Sequence, residues 1–427
     1  MPGISKYNRP LSGHAVDEDA RQHRICPVND DNPIYLDYNA TTPIDRRVLE
    51  CMMPFLTDAF GNPSSGNHTF GQTAAEAVEL ARYHVAELVQ ANPNEIFFTS
   101  CATESISLAL KGLAYSGPAV GKTIVTTVAE HKAVLATCQQ LERHLQVTYL
   151  PVTRSCSIDL SDLSHRMSTG RTLLVSLMWA NNEIGTIYPI REAAGIAHRA
   201  GALFFTDATQ AVGKIPVNVR TSEVDLMAFS AHKLYGPKGV GALFVRGGDT
   251  AIKLEPLIAG GGQEQGLRGG TLNVAGIVGF GEACRIAKME MSDEASRMFR
   301  LRTQLEERLR LLPNVIVNGD GQPRLPNTTS LRFLGIDAPT LIRETGIVAV
   351  STGAACSSQT NSPSHVLKAI GLCNSCAGSA IRFSLGRFTT EQQINATIQQ
   401  VATTVPRLRA ATRQSGSSSY VKTAYTS

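Results

Sequence analysis

The chain has no apolar run close to the roughly 20 residues needed to cross a bilayer. A membrane-spanning helix is therefore not its organising element. It also has no large excess of either charge: 40 Lys and Arg face 36 Asp and Glu, a net +4. That balance gives no footprint for direct contact with nucleic acid or with a membrane surface. Residues 1–31 lack the apolar stretch of a secretory leader, and Asp17, Glu18 and Asp19 speak against a transit peptide. They read as a poorly ordered extension of a cytoplasmic protein. A disulfide framework is missing too, because nine cysteines are an odd number in a long chain without a leader. Cys26, Cys51, Cys138, Cys156 and Cys284 read mostly as small buried apolar residues. There is no internal repeat.

What the chain does have is apolar material in an alternating rhythm. Its 427 residues are 43% hydrophobic, enough for a large core and for two or three domains, or one large domain with a smaller one. Residues 34–43 form a short strand-like run ending in a polar turn, and 61–68 read as a loop. Residues 74–90 predict a helix, with Val78, Ala81, Val85, Leu88 and Val89 at three- and four-residue steps. Strands are expected at 95–99, 123–127, 172–178, 202–205, 225–229 and 241–245. Helices are expected from about 102 to 110, at 133–144 and at 191–199. This alternation predicts a mostly parallel sheet with helices on both faces. Residues 274–289 predict one helix, and 293–312 a separate charged helix leading to a second domain. Strands and short helices then run to about Leu408, and the Ser/Thr-rich tail reads as disordered.

Several places carry candidate chemistry. The run 225–229 feeds into Ser230-Ala231-His232-Lys233 and breaks on Gly236-Pro237-Lys238-Gly239. This puts a lysine just past a strand end, where ligands sit in open α/β sheets. A desolvated lysine there can form a Schiff base with an aldehyde; the alternative is a solvated surface charge. Ser100-Cys101-Ala102-Thr103 opens a helix after a strand. Such a turn either caps the helix or offers free N–H groups to a phosphate. Asp207 ends an apolar run and needs a cationic partner if buried. Arg382 lies among apolar residues in Ile381-Arg382-Phe383, and either a bidentate carboxylate ligand or an internal salt bridge would satisfy it. Residues 351–363 are small and polar and carry Cys356. A thiol in such a mobile loop is a candidate for reactivity.

The segment around Lys233 resembles the cofactor-lysine segment of the class V aminotransferase group of pyridoxal-phosphate enzymes, in particular the cysteine desulfurases. The resemblance runs from about Ile34 to Leu408, with several separated motifs in the family's order. It implies an α/β fold of type I, aspartate aminotransferase-like. The large domain, residues 43–292, would hold a mostly parallel seven-stranded sheet. A smaller α+β domain would combine 34–42 with 293–408, leaving 1–33 and 409–427 as disordered ends.

The resemblance also implies the site. Lys233 would carry pyridoxal 5'-phosphate, Asp207 would meet the pyridine nitrogen, and Gln210 the ring hydroxyl. His131 would stack on the ring and move protons, which an ordinary pKa near ~6.5 suits. Ala102, Thr103, Ser230 and His232 would cup the phosphate, and Thr271 would reach the phosphate of a partner subunit in a homodimer. Asn182, Arg382 and Asn39 would bind the amino-acid substrate, Asn182 also touching the cofactor. Cys356, in a loop like that of the long-loop subgroup, would take sulfur from L-cysteine as a persulfide, release alanine, and pass the sulfur to an acceptor protein. Iron–sulfur assembly, tRNA thiolation and DNA phosphorothioation all draw on the family, and the residues do not choose among them. Selenocysteine lyase and plain class V aminotransferase are the alternative activities. No resident metal is implied.

Three features depart from the family pattern. Ala102 stands where glycine is common, tolerable if its φ is negative. The two chain ends have no family role. Cys373-Asn374-Ser375-Cys376 is an extra CxxC without a second ligand pair for zinc; it reads as loop cysteines or as a redox or sulfur-relay pair.

Overall fold

The computed structural model describes residues 33–117, 122–167, 171–248, 252–353 and 363–414. Its main sheet has seven strands. They are β2 (Ile96–Thr99), β3 (Thr123–Thr127), β4 (Gln146–Leu150), β5 (Thr172–Ser176), β6 (Leu203–Asp207), β7 (Leu226–Ser230) and β8 (Gly241–Val245), following a first short strand, β1 (Ile34–Tyr35). The order across the sheet is β2-β8-β7-β6-β5-β3-β4. All neighbours pair parallel except β8, which runs antiparallel to both β7 and β2. The central strands β7 and β8 are buried along their whole length. Their apolar residues face helices on both sides, which is why the runs read as continuous rather than alternating.

Two apolar clusters sandwich this sheet. One holds Phe204, Met227, Phe229 and Phe244 with the helices Thr69–Val89 and Val274–Arg310. The other holds Phe97, Phe205, Leu226 and Leu243 with the helices Ala102–Tyr115 and Lys132–Leu141. Gly281 lets the two helices of the first cluster meet, since a Cβ there would lie 2.5 Å from the Ala81 Cα.

A third cluster gathers Ile34 and Leu36 with residues from Leu301 to Val405. It packs on a three-stranded antiparallel sheet of β9 (Val315–Val317), β10 (Thr328–Phe333) and β12 (Ala380–Ser384), order β12-β10-β9. Beside it β1 pairs parallel with β11 (Val348–Ala349).

The structure corrects the sequence reading in four places. The two helices expected on either side of residue 292 are one helix, Val274–Arg310. Nothing between Met289 and Asp293 breaks a helix, and its halves pack on different clusters, so a change in amphipathic face looked like a boundary. A strand, β4, and a helix, Leu160–Met167, lie where no element is expected from the sequence. The last helix runs from Glu391 to Gln414, past the expected boundary at Leu408. Cys138, Cys156 and Cys284 are buried as expected, but Cys51 is exposed. Cys26 and most of the two chain ends lie outside the described residues.

Candidate active site

The parallel strands end on one side of the sheet, and the candidate residues follow those ends. Asp207 closes β6 and Ser230 closes β7. Ala231–Lys233 is a single tight turn directly after β7. His131 follows β3 and starts the helix Lys132–Leu141. Thr99 closes β2, and Ala102 opens the helix Ala102–Tyr115. Thr99 and Ser230 both pair with Gly241 at the start of β8. Only glycine fits there, because a Cβ would sit 2.7 Å from the Cys101 carbonyl carbon.

Together these elements enclose a cavity of about 280 Å³. Lys233, Asp207, Gln210, His131, Ala102, Thr103, Ser230, His232, Asn182, Arg382 and Asn39 all line it. Thr271 is exposed and does not line it. Cys356 lies outside the described residues, but Gly353 before it and His365 after it are both on the cavity wall.

Each side chain is held by identifiable partners. Lys233 Nζ donates to the carbonyls of Asn39 (2.7 Å) and Ala40 (2.6 Å). Gln210 Nε2 donates to the same Asn39 carbonyl at 2.9 Å. The Asn39 side chain is only 2% exposed. Its amide nitrogen serves Asn182 O and Thr328, and its oxygen accepts from Lys214 and Asn327. What Asn39 turns to Lys233 is its backbone carbonyl. Asp207 Oδ1 accepts from Thr209 N at 3.0 Å, fixing the carboxylate at the strand end.

Arg382, on β12, is equally defined. Nη1 donates to Asn182 O (2.8 Å) and Gly353 O (3.1 Å), and Nη2 donates to Asp37 Oδ1 (2.5 Å). The internal salt bridge expected as one alternative is thus present, with Asp37. Yet Arg382 Nε is buried without a partner among the described residues. Nε and Nη2 form the guanidinium edge that grips a carboxylate with two parallel hydrogen bonds.

The two histidines do not behave as free imidazoles. His131 Nδ1 accepts from Ala133 N at 3.2 Å, so it caps its own helix. Burial pushes its pKa below the ordinary value. Burial thus favours the neutral ring, and because Nδ1 accepts, that neutral ring carries its proton on Nε2. His232 sits 3.1 Å from Thr41 Oγ1. Burial, then the charge of Lys233, pushes its pKa down to about 4.

At the helix Ala102–Tyr115 the capping alternative fails. Its N-cap is Cys101, with no side-chain hydrogen bond to the helix. Thr99 bonds Ser105 instead, and Glu104 turns back to Ser100 N. The first-turn N–H groups are left for an anion in the cavity. Ala102 has no positive φ, so its methyl group is tolerated as expected.

Three buried groups were not picked out from the sequence. Lys214 donates to Asn39 Oδ1 (3.1 Å) and Gln210 Oε1 (2.5 Å), and burial holds its pKa well below the lysine range. Its spacing of four residues from Gln210 was the available signal. Glu130 accepts from Met178 N at 2.6 Å, and burial raises its pKa well above the carboxylate range. Glu183 accepts from Ser364 Oγ at 2.5 Å, and burial raises it as well. It stands against Gly353, where a Cβ would be 2.9 Å from its carboxylate.

The class-V aminotransferase family matches residues 34–397. The chain belongs to that family. The cysteine desulfurase IscS of Pectobacterium carotovorum subsp. carotovorum (strain PC1) is 50% identical over 380 residues, covering 88% of this chain and 94% of its own. A solved NifS-like protein is 40% identical, with a TM-score of 0.81 over 88% of this chain and all of its own. A structure described as SspA in complex with cysteine is 36% identical, with a TM-score of 0.74 over 84% of this chain and all of its own. The fold is therefore the pyridoxal-phosphate type I fold, with the mostly parallel seven-stranded sheet expected from the resemblance.

Family members work with pyridoxal phosphate. The residues present fit that group. One cavity offers a primary amine, a carboxylate at a strand end, and a helix N-terminus with free N–H groups.

Proposed function

We propose that this protein is a cysteine desulfurase. It converts L-cysteine to L-alanine and keeps the sulfur as a persulfide on Cys356 for delivery to an acceptor protein. The observation that carries this reading is the cavity itself. A lysine, an aspartate and an arginine whose buried Nε has no partner among the described residues share it, and Gly353 and His365, on either side of the Cys356 segment, sit on its wall.

Pyridoxal phosphate, when bound, supplies an aldehyde for the substrate amine and an electron sink for its α-carbon. The chain's residues do the rest. Lys233 would hold the cofactor, and its amine is the base placed to take the substrate α-proton. Asp207 keeps the pyridine nitrogen protonated. Gln210, oriented by Lys214 and the Asn39 carbonyl, donates to the ring hydroxyl. His131, neutral and fixed by its own helix, stacks on the ring. The N–H groups at Ala102 and Thr103 receive the phosphate, with Ser230 and a neutral His232 beside them. Arg382 receives the substrate carboxylate on its Nε–Nη2 edge, with Asn182 next to it. The Cys356 thiolate attacks the substrate sulfur. An S–S bond forms as the C–S bond breaks, and the released electron pair on carbon is protonated to give alanine. The overall change, cysteine plus thiol to alanine plus persulfide, balances without an external oxidant.

The same reading makes the protein a cytoplasmic homodimer, with Thr271 of each chain offered to the other's site; its exposure outside the cavity supports that use. It also divides the chain into lobes of 43–292 and of 34–42 with 293–408. The third cluster supports this, joining Ile34 and Leu36 to residues beyond 300.

The test is to load the protein with pyridoxal phosphate, add L-cysteine, assay alanine, and weigh the peptide carrying Cys356. Alanine together with one added sulfur on Cys356 supports the proposal. Alanine with an unmodified Cys356 would assign sulfur release to another route and overturn it. Pull-down on the preformed persulfide would then name the acceptor.

A further inference from the structure

A second cavity, of about 330 Å³, shares no lining residue with the first. Cys373 and Cys376 line it together with Arg332 and Arg154. Cys373 is exposed and Cys376 half-buried. Cys373 Sγ accepts from Cys376 N at 3.4 Å and stands 3.2 Å from Ser375 Oγ. These contacts favour its thiolate and bring its pKa down to about 7, Ser375 contributing most. Burial, then the neighbouring Cys373, holds the Cys376 thiol above the ordinary value. Arg332, on β10, lines the same cavity and interacts electrostatically with the Cys376 thiol, and its Nε is buried with no partner among the described residues. No group of three or more possible metal ligands exists among the described residues, so this is not part of a formed metal centre.

The arrangement has the parts of a dithiol exchange site. An exposed thiol with a pKa near working pH attacks best, because thiolate fraction and nucleophilicity then balance. A second thiol, on the residue whose backbone N–H bonds Cys373 Sγ, is placed to resolve the product. An arginine beside that second thiol favours its thiolate when it must attack.

We propose that Cys373 and Cys376 are a thiol–disulfide exchange centre, separate from the Lys233 cavity, that reacts with low-molecular-weight disulfides and closes to a Cys373–Cys376 bond. In the first step the Cys373 thiolate attacks a disulfide RSSR; Cys373–S–S–R forms and RS⁻ leaves. In the second the Cys376 thiolate attacks Cys373 sulfur, forming the internal bond and expelling a second RS⁻. The two protein thiols lose two electrons, RSSR gains them, and the two protons pass to the RS⁻ groups.

Glutathione disulfide is the probe, used on the full-length protein loaded with pyridoxal phosphate. Trypsin releases residues 369–382 as one peptide holding both cysteines. After reaction at pH 7 and blocking of free thiols, that peptide is expected unblocked and two hydrogens lighter. Cys376→Ser is expected to stop at a glutathione adduct on Cys373, and Cys373→Ser to leave Cys376 blocked as a free thiol. The exposed Cys51, whose thiol is pushed up by burial, is the internal control. A thiolate fraction about 50-fold larger, offset about 8-fold by lower nucleophilicity, makes Cys373 at least about sixfold faster than Cys51. A Cys373 no faster than Cys51, a peptide that stays fully blocked, or equal reaction of Cys376 in Cys373→Ser would overturn the proposal.

Discussion

Replacing Arg382 by lysine separates charge from geometry at the candidate carboxylate site. Lysine keeps the positive charge but has no planar fork. In the structure Nη1 is committed to two carbonyls and Nη2 to Asp37, while Nε has no partner among the described residues. A substrate carboxylate therefore draws on the Nε–Nη2 edge, and lysine removes one of its two charge-assisted bonds. Such a bond is worth about 1.5–3 kcal/mol, which is about 10- to 150-fold in affinity. Arg382→Lys should raise KM for L-cysteine by that factor and weaken L-alanine binding to the same extent. L-alaninamide, which has no carboxylate, should bind wild type and variant alike. Asp37→Asn gives the opposite sign: it removes the anion already paired with Nη2, so L-alanine should bind more tightly. Titration of the cofactor's absorption with the two ligands measures both effects. An unchanged preference for alanine over alaninamide in Arg382→Lys, or weaker alanine binding in Asp37→Asn, would refute the reasoning.

Cys356→Ser should abolish alanine release by a full turnover assay while keeping the cofactor's absorption band. Burial holds the Lys214 pKa well below the ordinary lysine value of about 10.5, so between its folded pKa and that value the unfolded chain binds more protons. Stability should rise with pH over that window by up to about 1.4 kcal/mol per unit, and Lys214→Met should lack that rise; parallel urea-midpoint profiles would contradict it. His232, brought to about 4, makes stability fall as pH drops from about 6.5 towards 4. His232→Asn should flatten that acid limb in the same measurement. Gly241→Ala should cost about 1–3 kcal/mol through overpacking against Cys101 and Phe229, read as a lower urea midpoint.

Much of this was legible in the chain because strand ends and turns announce themselves. The run 225–229 followed by a polar turn put Lys233 at the end of β7, and 202–206 did the same for Asp207. The strand β4 escaped because it is short and only Leu150 of its five residues is buried, so it carries no apolar run. Lys214 and Glu130 escaped for another reason. A buried charge is recognisable only from its partners, and those of Lys214 lie at Asn39 and Gln210, the first of them far off in sequence. The choice between capping and anion binding at Ala102 needed the Thr99–Ser105 bond, which no spacing rule supplies.

The helix Val274–Arg310 has a mechanical consequence. Thirty-seven residues at 1.5 Å each make a strut of about 55 Å. One end is clamped to the main sheet's helices, and the other carries Leu301, Leu305 and Leu309 into the third cluster. A hinge at residue 292, where a domain boundary would naturally be drawn, would have to break a continuous ladder of backbone hydrogen bonds. The residues on either side of 292 therefore behave as one piece, with the strut carrying load past that point rather than bending at it.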